Sequence, residues 1–318
     1  MSADFLAVAK TAVPPAATVL FRPDAKLLRQ LLSTLEGDGC RVFIFVNGSL
    51  DEPAEAILSE LNNASITRSE QNAGLGYGLN SVMNTAMSEG FSHVLLFDQD
   101  STPEAGLAQR LMARAACYDR GRRKCLAVLG PLLVPPSNSS YLPISYWRRE
   151  ANDPDAHSSS IVQVDFVPTS GSLVSIEAWR EIGPFRADYF IGGIDVEWGY
   201  RAWHKGWVSA IAEDIQMVHR WGEEQVDGQA GRPQILRQST TRIYYYVRNA
   251  VDGMRRAYMP WRWKRQQAIR LLGQICLILL VRVGRDVPLA LIFRAVRDGW
   301  SGRLGPIPDQ LAMRFGTA

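Results

Sequence analysis

Short apolar runs alternate with helical segments along the first part of the chain. Residues 94–97 (Val-Leu-Leu-Phe) are the clearest run, and two others cover 17–21 and 41–46. Uninterrupted apolar residues are typical of a strand that is buried on both faces, as in a parallel sheet. A shorter β-prone run lies around Ile66. The pattern therefore predicts four strands in the first hundred residues.

Segments with helical periodicity lie between these strands. Leucines repeat at helical spacing over 25–35, where Asp24 is the expected N-cap, and further helices are predicted at about 53–62 and 79–89. Strands that alternate with helices and end in Gly, Asn or Asp turns indicate an α/β fold. We expect a doubly wound, mainly parallel sheet with helices on both faces.

The chain changes character after residue 134. Residues 134–160 are rich in Pro, Ser and Asn, which is typical of a surface excursion. A strand is predicted over 162–167, followed by a strand-to-helix unit after Ser172 and a helix that starts near Asp195. A further strand is expected near 207–211.

Composition excludes several classes of protein. The chain has 318 residues, of which 47% are hydrophobic and 21% charged, so wholesale disorder is excluded. Its four cysteines are scattered without a Cys-x-x-Cys pair, which argues for a reducing compartment and against a zinc ribbon or a disulfide scaffold. No basic region followed by a long apolar core opens the chain, so no secretory signal is expected.

The net charge of +3 is unevenly distributed. Residues 255–303 hold eleven Lys or Arg and two Asp or Glu, which leaves a slightly acidic body. This tail contains an apolar run over 271–283, about 20 Å long as a helix and too short to cross a membrane. It predicts either interfacial binding to anionic lipid or a helix that packs on the rest of the protein or across a dimer. No nucleic-acid motif accompanies the basic residues.

Two pairs of carboxylates are candidates for chemistry. Asp98 and Asp100 follow the strand at 94–97, where open α/β sheets bind ligands, and hard oxygen ligands suit Mg²⁺ or Mn²⁺ shared with a diphosphate. An acidic turn is the alternative. Asp195 and Glu197 lie at a predicted helix start, where charge complementarity with the helix dipole would also explain them. The glycine-rich stretch 72–78 indicates either close approach to a nucleotide or a turn.

The order of the motifs resembles the inverting family 2 glycosyltransferases with a GT-A fold, and most of all their rhamnosyltransferase branch. The segments that carry the resemblance span about 17–250: VLFRPD (19–24), FVNGS (45–49), QNAGLGYGLN (71–80), LLFDQDS (95–101), TSGSLVS (169–175), FIGGIDVEWGYRAWHKGW (190–207), HRWGE (219–223) and RIYYYVRN (242–249). The resemblance implies a catalytic domain over 1–250, with a donor half at 17–133 and an acceptor half at 161–250. Residues 251–318 would form a helical, basic tail.

The resemblance also implies a role for each matching residue. Asp98 and Asp100 match the D-x-D motif of the family. Asp98 would lie near the donor ribose and Asp100 would coordinate the divalent cation. His219 would complete the metal site. Asp195 would be the catalytic base. The remaining matches are the donor-side residues Asn47, Asn72, Gly74 and Asn80 and the acceptor-side residues Thr169, Ser170, Gly171, Glu197 and Arg248.

A metal-dependent inverting transferase is the implied activity. It would move a deoxysugar such as L-rhamnose from a nucleotide-diphosphate donor to a glycan or lipid-linked glycan, for bacterial surface polysaccharide such as O-antigen. We expect a cytoplasmic location, with peripheral contact of the tail at the inner face of the membrane. Val46 and Gly192 replace aspartates common in the family, which leaves another nucleotide sugar, or a glycan-binding subunit without activity, as alternatives.

Overall fold

The computed structural model describes residues 13–119, 125–136, 148–149, 160–219, 239–281, 289–308 and 311. The strands are β1 Ala16–Leu20, β2 Val42–Asn47, β3 Ala64–Ser69, β4 His93–Phe97, β5 Leu126–Val134, β6 Ile161–Gln163, β7 Ser172–Ser175 and β8 Val208–Val218. The helices are α1 Ala25–Gly37, α2 Glu52–Ser59, α3 Leu75–Ser88, α4 Leu107–Asp119, α5 Ile176–Ile182, α6 Ile194–His204, α7 Thr240–Arg255, α8 Trp261–Val281 and α9 Leu289–Ser301. Most of the predicted surface excursion at 134–160 lies outside the described residues.

All eight described strands form one sheet in the order β3-β2-β1-β4-β7-β5-β8-β6. The first four run parallel to one another, and β8 runs parallel to β5. β7 is antiparallel to both β4 and β5, and β6 is antiparallel to β8. The predicted α/β class with a mainly parallel sheet is therefore confirmed, with β7 as the strand at which the direction reverses.

Both faces of the sheet are covered by helices. Alternate residues of β2 point to opposite sides, so that Val42, Ile44 and Val46 join one core cluster while Phe43 and Phe45 join the other. The first cluster includes the apolar residues of α1, α2 and α4, and the second includes those of α3, α5 and α6. This is the burial on both faces that the continuous apolar runs predicted.

Capping side chains account for where several helices begin. The carboxylate of Asp24 accepts a hydrogen bond from the backbone N of Leu27 at 2.9 Å, as predicted for the start of α1. Asp51 does the same for Ala54 at the start of α2, with an N···O distance of 3.0 Å. Ser175 caps α5 in the same way, because its hydroxyl accepts from the backbone N of Ala178.

The glycine-rich stretch is mostly helical, which corrects the predicted helix start at residue 79. α3 begins at Leu75, so Gly76 and Gly78 lie inside its first turns. A Cβ atom at Gly76 would lie 2.7 Å from the carbonyl oxygen of Arg186, and one at Gly78 would lie 2.8 Å from the side chain of Val19. These glycines are therefore explained by close packing of α3 on its neighbours, whereas Gly74 has a positive φ of 89° and precedes the helix.

Two strand predictions differ in length from the structure. The strand predicted over 162–167 is only the three-residue β6, which pairs with β8 over Ile161–Gln163, and the last contact of this segment with β8 is the hydrogen bond from the backbone N of Val164 to Ser209. The strand predicted near 207–211 extends much further as β8, which pairs with β5 as far as Val218. Pairing with neighbours decides both lengths, and the local sequence does not contain that information.

The C-terminal helices add a third layer of structure. Side chains of α7, α8 and α9 form their own apolar cluster, in which Tyr244 and Tyr245 meet Leu271 and Leu291. The predicted domain boundary at residue 250 falls inside α7. None of the helices in the described part of the chain is long and apolar enough to cross a membrane.

Candidate active site

The segment with the two predicted metal aspartates follows β4 directly. Asp98 is half-buried and Asp100 is exposed. The amide of Gln99 between them accepts a hydrogen bond from the backbone N of Phe21 (2.8 Å) and donates one to the carbonyl oxygen of Phe21 (3.1 Å). The loop after β4 is thereby tied to the loop after β1, and both lie at the carboxyl ends of parallel strands.

Electrostatics shows which charged groups share this region. The pKa of Asp98 is raised to about 7, mainly by burial and also by the negative charges of Asp100 and Asp195, while Arg242 opposes the shift. Residues that are far apart in sequence thus act on one carboxyl group. The structure brings the predicted metal pair and the predicted base into one site.

His219 joins the same site through the end of β8. Its backbone N donates to the carbonyl oxygen of Val134 at 2.9 Å, and Thr102 forms a β-bridge with Val218. This bridge draws the end of β8 towards the loop that contains Asp100. Burial lowers the pKa of His219, and the nearby charge of Asp100 opposes that shift.

On the predicted donor side, two asparagines shape the loop that precedes α3. Asn47 donates from its amide to the side-chain oxygen of Asn72 at 2.8 Å, and accepts from the backbone N of Ala73 at 2.7 Å. Asn72 in turn accepts from the backbone N of Gly74 at 3.0 Å. Beside this loop lies an open cleft of about 540 Å³, lined by the end of β3 and by Tyr77, Phe190 and Pro306.

The turn at 169–171 packs against the end of β4. The hydroxyl groups of Ser170 and Ser101 lie 2.6 Å apart in a buried hydrogen bond, and the backbone N of Gly171 donates to the carbonyl oxygen of Leu96. Thr169 and Asp195 line the same small cavity of about 10 Å³. Ser170 and Gly171 are therefore structural neighbours of the site, and Thr169 is the member of the turn that lies near the predicted base.

Asp195 lies in the first turn of α6, after Gly192 and Gly193, which both have positive φ angles. Its carboxylate is half-buried and accepts a hydrogen bond from the backbone N of Val196 at 2.9 Å. Burial raises the pKa of Asp195, and the backbone hydrogen bonds partly offset this. A carboxylate with a raised pKa is a stronger proton acceptor, which suits a general base.

The structure does not bring three predicted residues into the cleft. Glu197 is fully buried, where it pairs with Arg201 and accepts from the hydroxyl of Tyr258. Arg248 is 1% exposed, and its guanidinium donates to backbone carbonyl oxygens. The amide of Asn80 is used in two 2.9 Å hydrogen bonds to the backbone of Phe185. The polar groups of all three already have partners within the fold, and their donor-side and acceptor-side roles stay predictions.

Arg242 was not singled out by sequence reasoning. It lies in the first turn of α7, is exposed, and donates no side-chain hydrogen bond to any residue in the described part of the chain. Its charge acts on Asp98. The signal was present in the RIYYYVRN segment, where this arginine precedes a run of aromatic residues, but proximity to Asp98 arises only through folding.

Comparison with known proteins adds independent information. No family model matches the chain. The chain is 24% identical over 293 residues to the dTDP-rhamnosyl transferase RfbF of Shigella flexneri, a match that covers 91% of this chain and 96% of that protein.

Solved structures show the same fold. The S. aureus protein TarS in complex with UDP-GlcNAc has a TM-score of 0.55 at 15% identity, covering 90% of this chain and 80% of that one. GalNAc-T7 with UDP, GalNAc and Mn²⁺ has a TM-score of 0.51 at 14% identity, covering 80% of this chain. The chain spans 54% of that GalNAc-T7 chain and 43% of a longer TarS chain.

The chain is a glycosyltransferase with the GT-A fold. This confirms the resemblance noted from the sequence motifs, including its similarity to rhamnosyltransferases. An acidic cluster at the carboxyl ends of parallel strands lies where open α/β sheets bind their ligands.

The carboxylates of this site are suitable ligands for a divalent cation that would be shared with the substrate. Among the described residues, no group of three or more His, Cys, Asp or Glu side chains has the arrangement of a metal site formed by protein alone. Mg²⁺ and related ions are commonly held by one or two carboxylates together with substrate phosphates. Asp98 and Asp100 offer such carboxylates, and their mutual repulsion, visible in the raised pKa of Asp98, would be relieved by a cation.

Proposed function

We propose that this glycosyltransferase moves L-rhamnose or a related deoxysugar, with inversion, from a nucleoside-diphosphate donor to a glycan or lipid-linked glycan acceptor. The product would be part of a bacterial surface polysaccharide. The observation that carries the proposal is the shared electrostatic environment of Asp98, Asp100 and Asp195 at one edge of the sheet. Similarity to a rhamnosyltransferase along almost the whole chain supports the choice of sugar.

In this proposal, Asp98 and Asp100 would hold a divalent cation, Mg²⁺ or Mn²⁺, with His219 beside them. When bound, the cation would stabilise the negative charge that develops on the leaving diphosphate. Arg242 contributes a second positive charge from α7, and its exposure and proximity to Asp98 support that role. A guanidinium binds phosphate oxygens well because its donors match their geometry.

Asp195 acts as the general base in the same proposal. It accepts the proton of the acceptor hydroxyl while the oxygen of that hydroxyl attacks the anomeric carbon. The bond to the diphosphate breaks on the opposite face of the sugar, so a single displacement inverts the configuration. The raised pKa of Asp195 and its position next to Thr169 support this assignment.

The nucleoside would lie along the loop of Asn47, Asn72 and Gly74. Val46, which replaces the family's usual aspartate, is fully buried in the core and offers no polar contact. The cleft beside β3 and Tyr77 is the accessible surface that remains for the base. Val46 and Gly192 also favour a second candidate, a GT-A transferase for a galactosyl or glucosyl donor.

A panel of nucleotide sugars tests the donor. With Mn²⁺ present, dTDP-rhamnose should raise the melting temperature more than UDP-glucose, UDP-galactose or UDP-GlcNAc, and labelled rhamnose should be transferred to lipid-linked glycan. A ligand that binds the folded state stabilises it more the tighter it binds, so at equal concentrations the thermal shift ranks the donors. A larger shift with a galactosyl or glucosyl donor would favour the second candidate. No shift with any donor would contradict both.

We also propose that α8 contacts an anionic lipid surface. Trp261, Arg265, Ile269 and Leu272 recur on one side of this helix and are all exposed. Exposed aromatic, aliphatic and basic side chains on one helix face are typical of interfacial binding. Among the described residues of 255–303 the acidic residue is Asp298, which is buried, so the accessible charge there is positive and complements anionic headgroups. Like charge disfavours a second copy of the chain as the occupant.

Vesicle sedimentation checks this contact. The protein should bind vesicles that contain phosphatidylglycerol and not vesicles of phosphatidylcholine alone, with binding reduced at high salt. Trp261→Ser should weaken binding several-fold. Tyr77→Ser, which removes another exposed aromatic ring, is the matched control and should leave it unchanged. Equal effects of both substitutions, or no vesicle binding, would contradict the proposal.

A further inference from the structure

One face of α7 holds the loop that leads into the helix with Asp195. This loop covers residues 186–193, and α6 begins immediately after it. Three buried polar residues of α7 reach the loop: Arg248, Asn249 and Asp252.

Arg248 contacts the backbone of the loop with no carboxylate partner among its described hydrogen bonds. Its guanidinium donates to the carbonyl oxygens of Tyr189 at 2.9 Å and Asp188 at 3.2 Å, and to that of Gly305 at 2.5 Å. The rings of Tyr244 and Tyr245 lie 5.6 and 4.8 Å from its central carbon. Burial lowers the pKa of Arg248, the direction expected for a desolvated cation.

Asn249 makes a second set of contacts to the same loop. Its amide nitrogen donates to the carbonyl oxygens of Tyr189 (3.0 Å), Ile191 (3.0 Å) and Gly192 (2.8 Å). Its amide oxygen accepts from Arg248 at 3.0 Å, which couples the two side chains. One turn further on, Asp252 accepts from the hydroxyl of Tyr189. The loop is therefore held by both its backbone and a side chain.

The conformation that these contacts hold is unusual. Phe190 has a positive φ of 65°, a region that L-residues with bulky side chains seldom adopt. Its ring stacks on Tyr245 at 4.9 Å between centroids, and its carbonyl oxygen accepts from the backbone N of Leu75 at 2.6 Å. A Cβ atom at Gly74 would lie 2.7 Å from Phe190, so the donor-side loop fits against this residue.

Stability alone does not explain the choice of these side chains. Burying a guanidinium costs desolvation free energy, and well-packed apolar side chains of similar volume are often as stabilising as a buried polar network. Polar groups do fix backbone carbonyls in one geometry, which an apolar side chain cannot do. The same loop touches the donor side through Phe190 and continues into the helix with Asp195.

We propose that Arg248 and Asn249 are positioning residues that hold loop 186–193 in its strained conformation, so that Asp195 and the donor-side loop keep a fixed relative geometry. This inference rests on the proposed function. The two residues act through the backbone and touch neither substrate. Their loss should misplace the base by a small distance, which reduces the rate of the chemical step more than the affinity for the donor.

Asn249→Ala tests the proposal in the full chain. We expect kcat to fall by about 100-fold, the effect of a misplacement on the order of 1 Å, while the dissociation constant of the nucleoside diphosphate with Mn²⁺ changes by less than about threefold. Hydrogen exchange of the backbone amides of 189–193 should become faster. That readout does not depend on activity, so it remains informative if wild-type protein transfers none of the sugars offered.

Asp298→Asn is the matched control for loss of stability. Asp298 is buried in the same helical layer, where it accepts from Tyr244 and pairs with Arg294, and it has no described contact to loop 186–193. It should lower the melting temperature without lowering kcat at a temperature where both variants are folded. Should Asn249→Ala fail to fold, Arg248→Lys keeps the charge but not the planar donor geometry, and should show the same loss of kcat.

Three outcomes separate the possibilities. Unchanged kcat and unchanged exchange at 189–193 in a folded Asn249→Ala or Arg248→Lys variant overturn the positioning role. Equal loss of kcat in Asp298→Asn at a matched melting temperature also overturns it, because the effect would then be one of stability. Absence of transfer by wild-type protein, with faster exchange in the variant, contradicts the proposed function and leaves the loop contacts supported.

Discussion

Asp195→Asn is expected to reduce kcat by about 10²- to 10⁴-fold, the range that a positioned general base contributes. The substitution preserves the shape of the side chain and the oxygen that accepts from the backbone N of Val196, but an amide cannot take up the acceptor's proton. Donor affinity should stay within about threefold, because an interaction made with the acceptor is not needed to hold the diphosphate. Initial rates and calorimetric titration with the nucleoside diphosphate measure the two quantities.

Glu177→Gln is the matched control for this substitution. Glu177 is an exposed carboxylate in the first turn of α5, so it shares with Asp195 the position at a helix start but lies outside the candidate site. It should leave both kcat and donor affinity unchanged. Retained turnover in Asp195→Asn would remove Asp195 from the role of base.

Asp100→Ala is expected to abolish the part of donor binding that depends on a metal ion. The affinity for nucleoside diphosphate in Mn²⁺ should fall by at least about 10- to 100-fold, which is the loss caused even by removing an outer partner of a metal ligand. In EDTA, where no divalent cation is available, the variant and the wild type should bind alike. Titrations with and without Mn²⁺ supply the comparison.

Arg242→Gln provides a contrasting result in the same titrations. Its charge is independent of the metal, so affinity should fall both with and without Mn²⁺, by about tenfold or more, since a hydrogen bond to a charged group contributes roughly 1.5–3 kcal/mol. Arg297→Gln on the exposed side of α9 is the control for net charge and should have no effect.

An unchanged affinity in Asp100→Ala with Mn²⁺ would contradict the assignment of the metal site.

Much of the sheet could be predicted from local pattern. The runs that became β2 and β4 are continuous apolar segments because helices cover both sides of the sheet, and burial on two faces leaves a signal in the sequence itself. The cap at Asp24 is equally local, since it depends on a residue three positions away. The start of α3 was missed because Gly76 favours a turn by propensity, whereas packing against Arg186 requires a glycine within a helix.

The candidate site was only partly accessible to the same reasoning. Asp98, Asp100 and Asp195 could be named because each occupies a recognisable local position, the end of a buried strand or the first turn of a helix. Glu197 occupies a similar local position but is buried against Arg201. Two acidic residues that are two positions apart on a helix point in different directions, and sequence does not say which of them faces a cleft.

The sequence by itself determined the class of fold, the order of the strands and helices in the first hundred residues and the carboxylates available for chemistry, because these depend on neighbours within a few positions. Only the tertiary structure decided which of those groups lie close together. The charge of Arg242 acts on Asp98 from a helix more than a hundred residues away. The guanidinium of Arg248 donates its hydrogen bond to a backbone carbonyl of a distant loop. Such contacts arise when strands and helices pack, and the free energy that selects them is spread over the whole core.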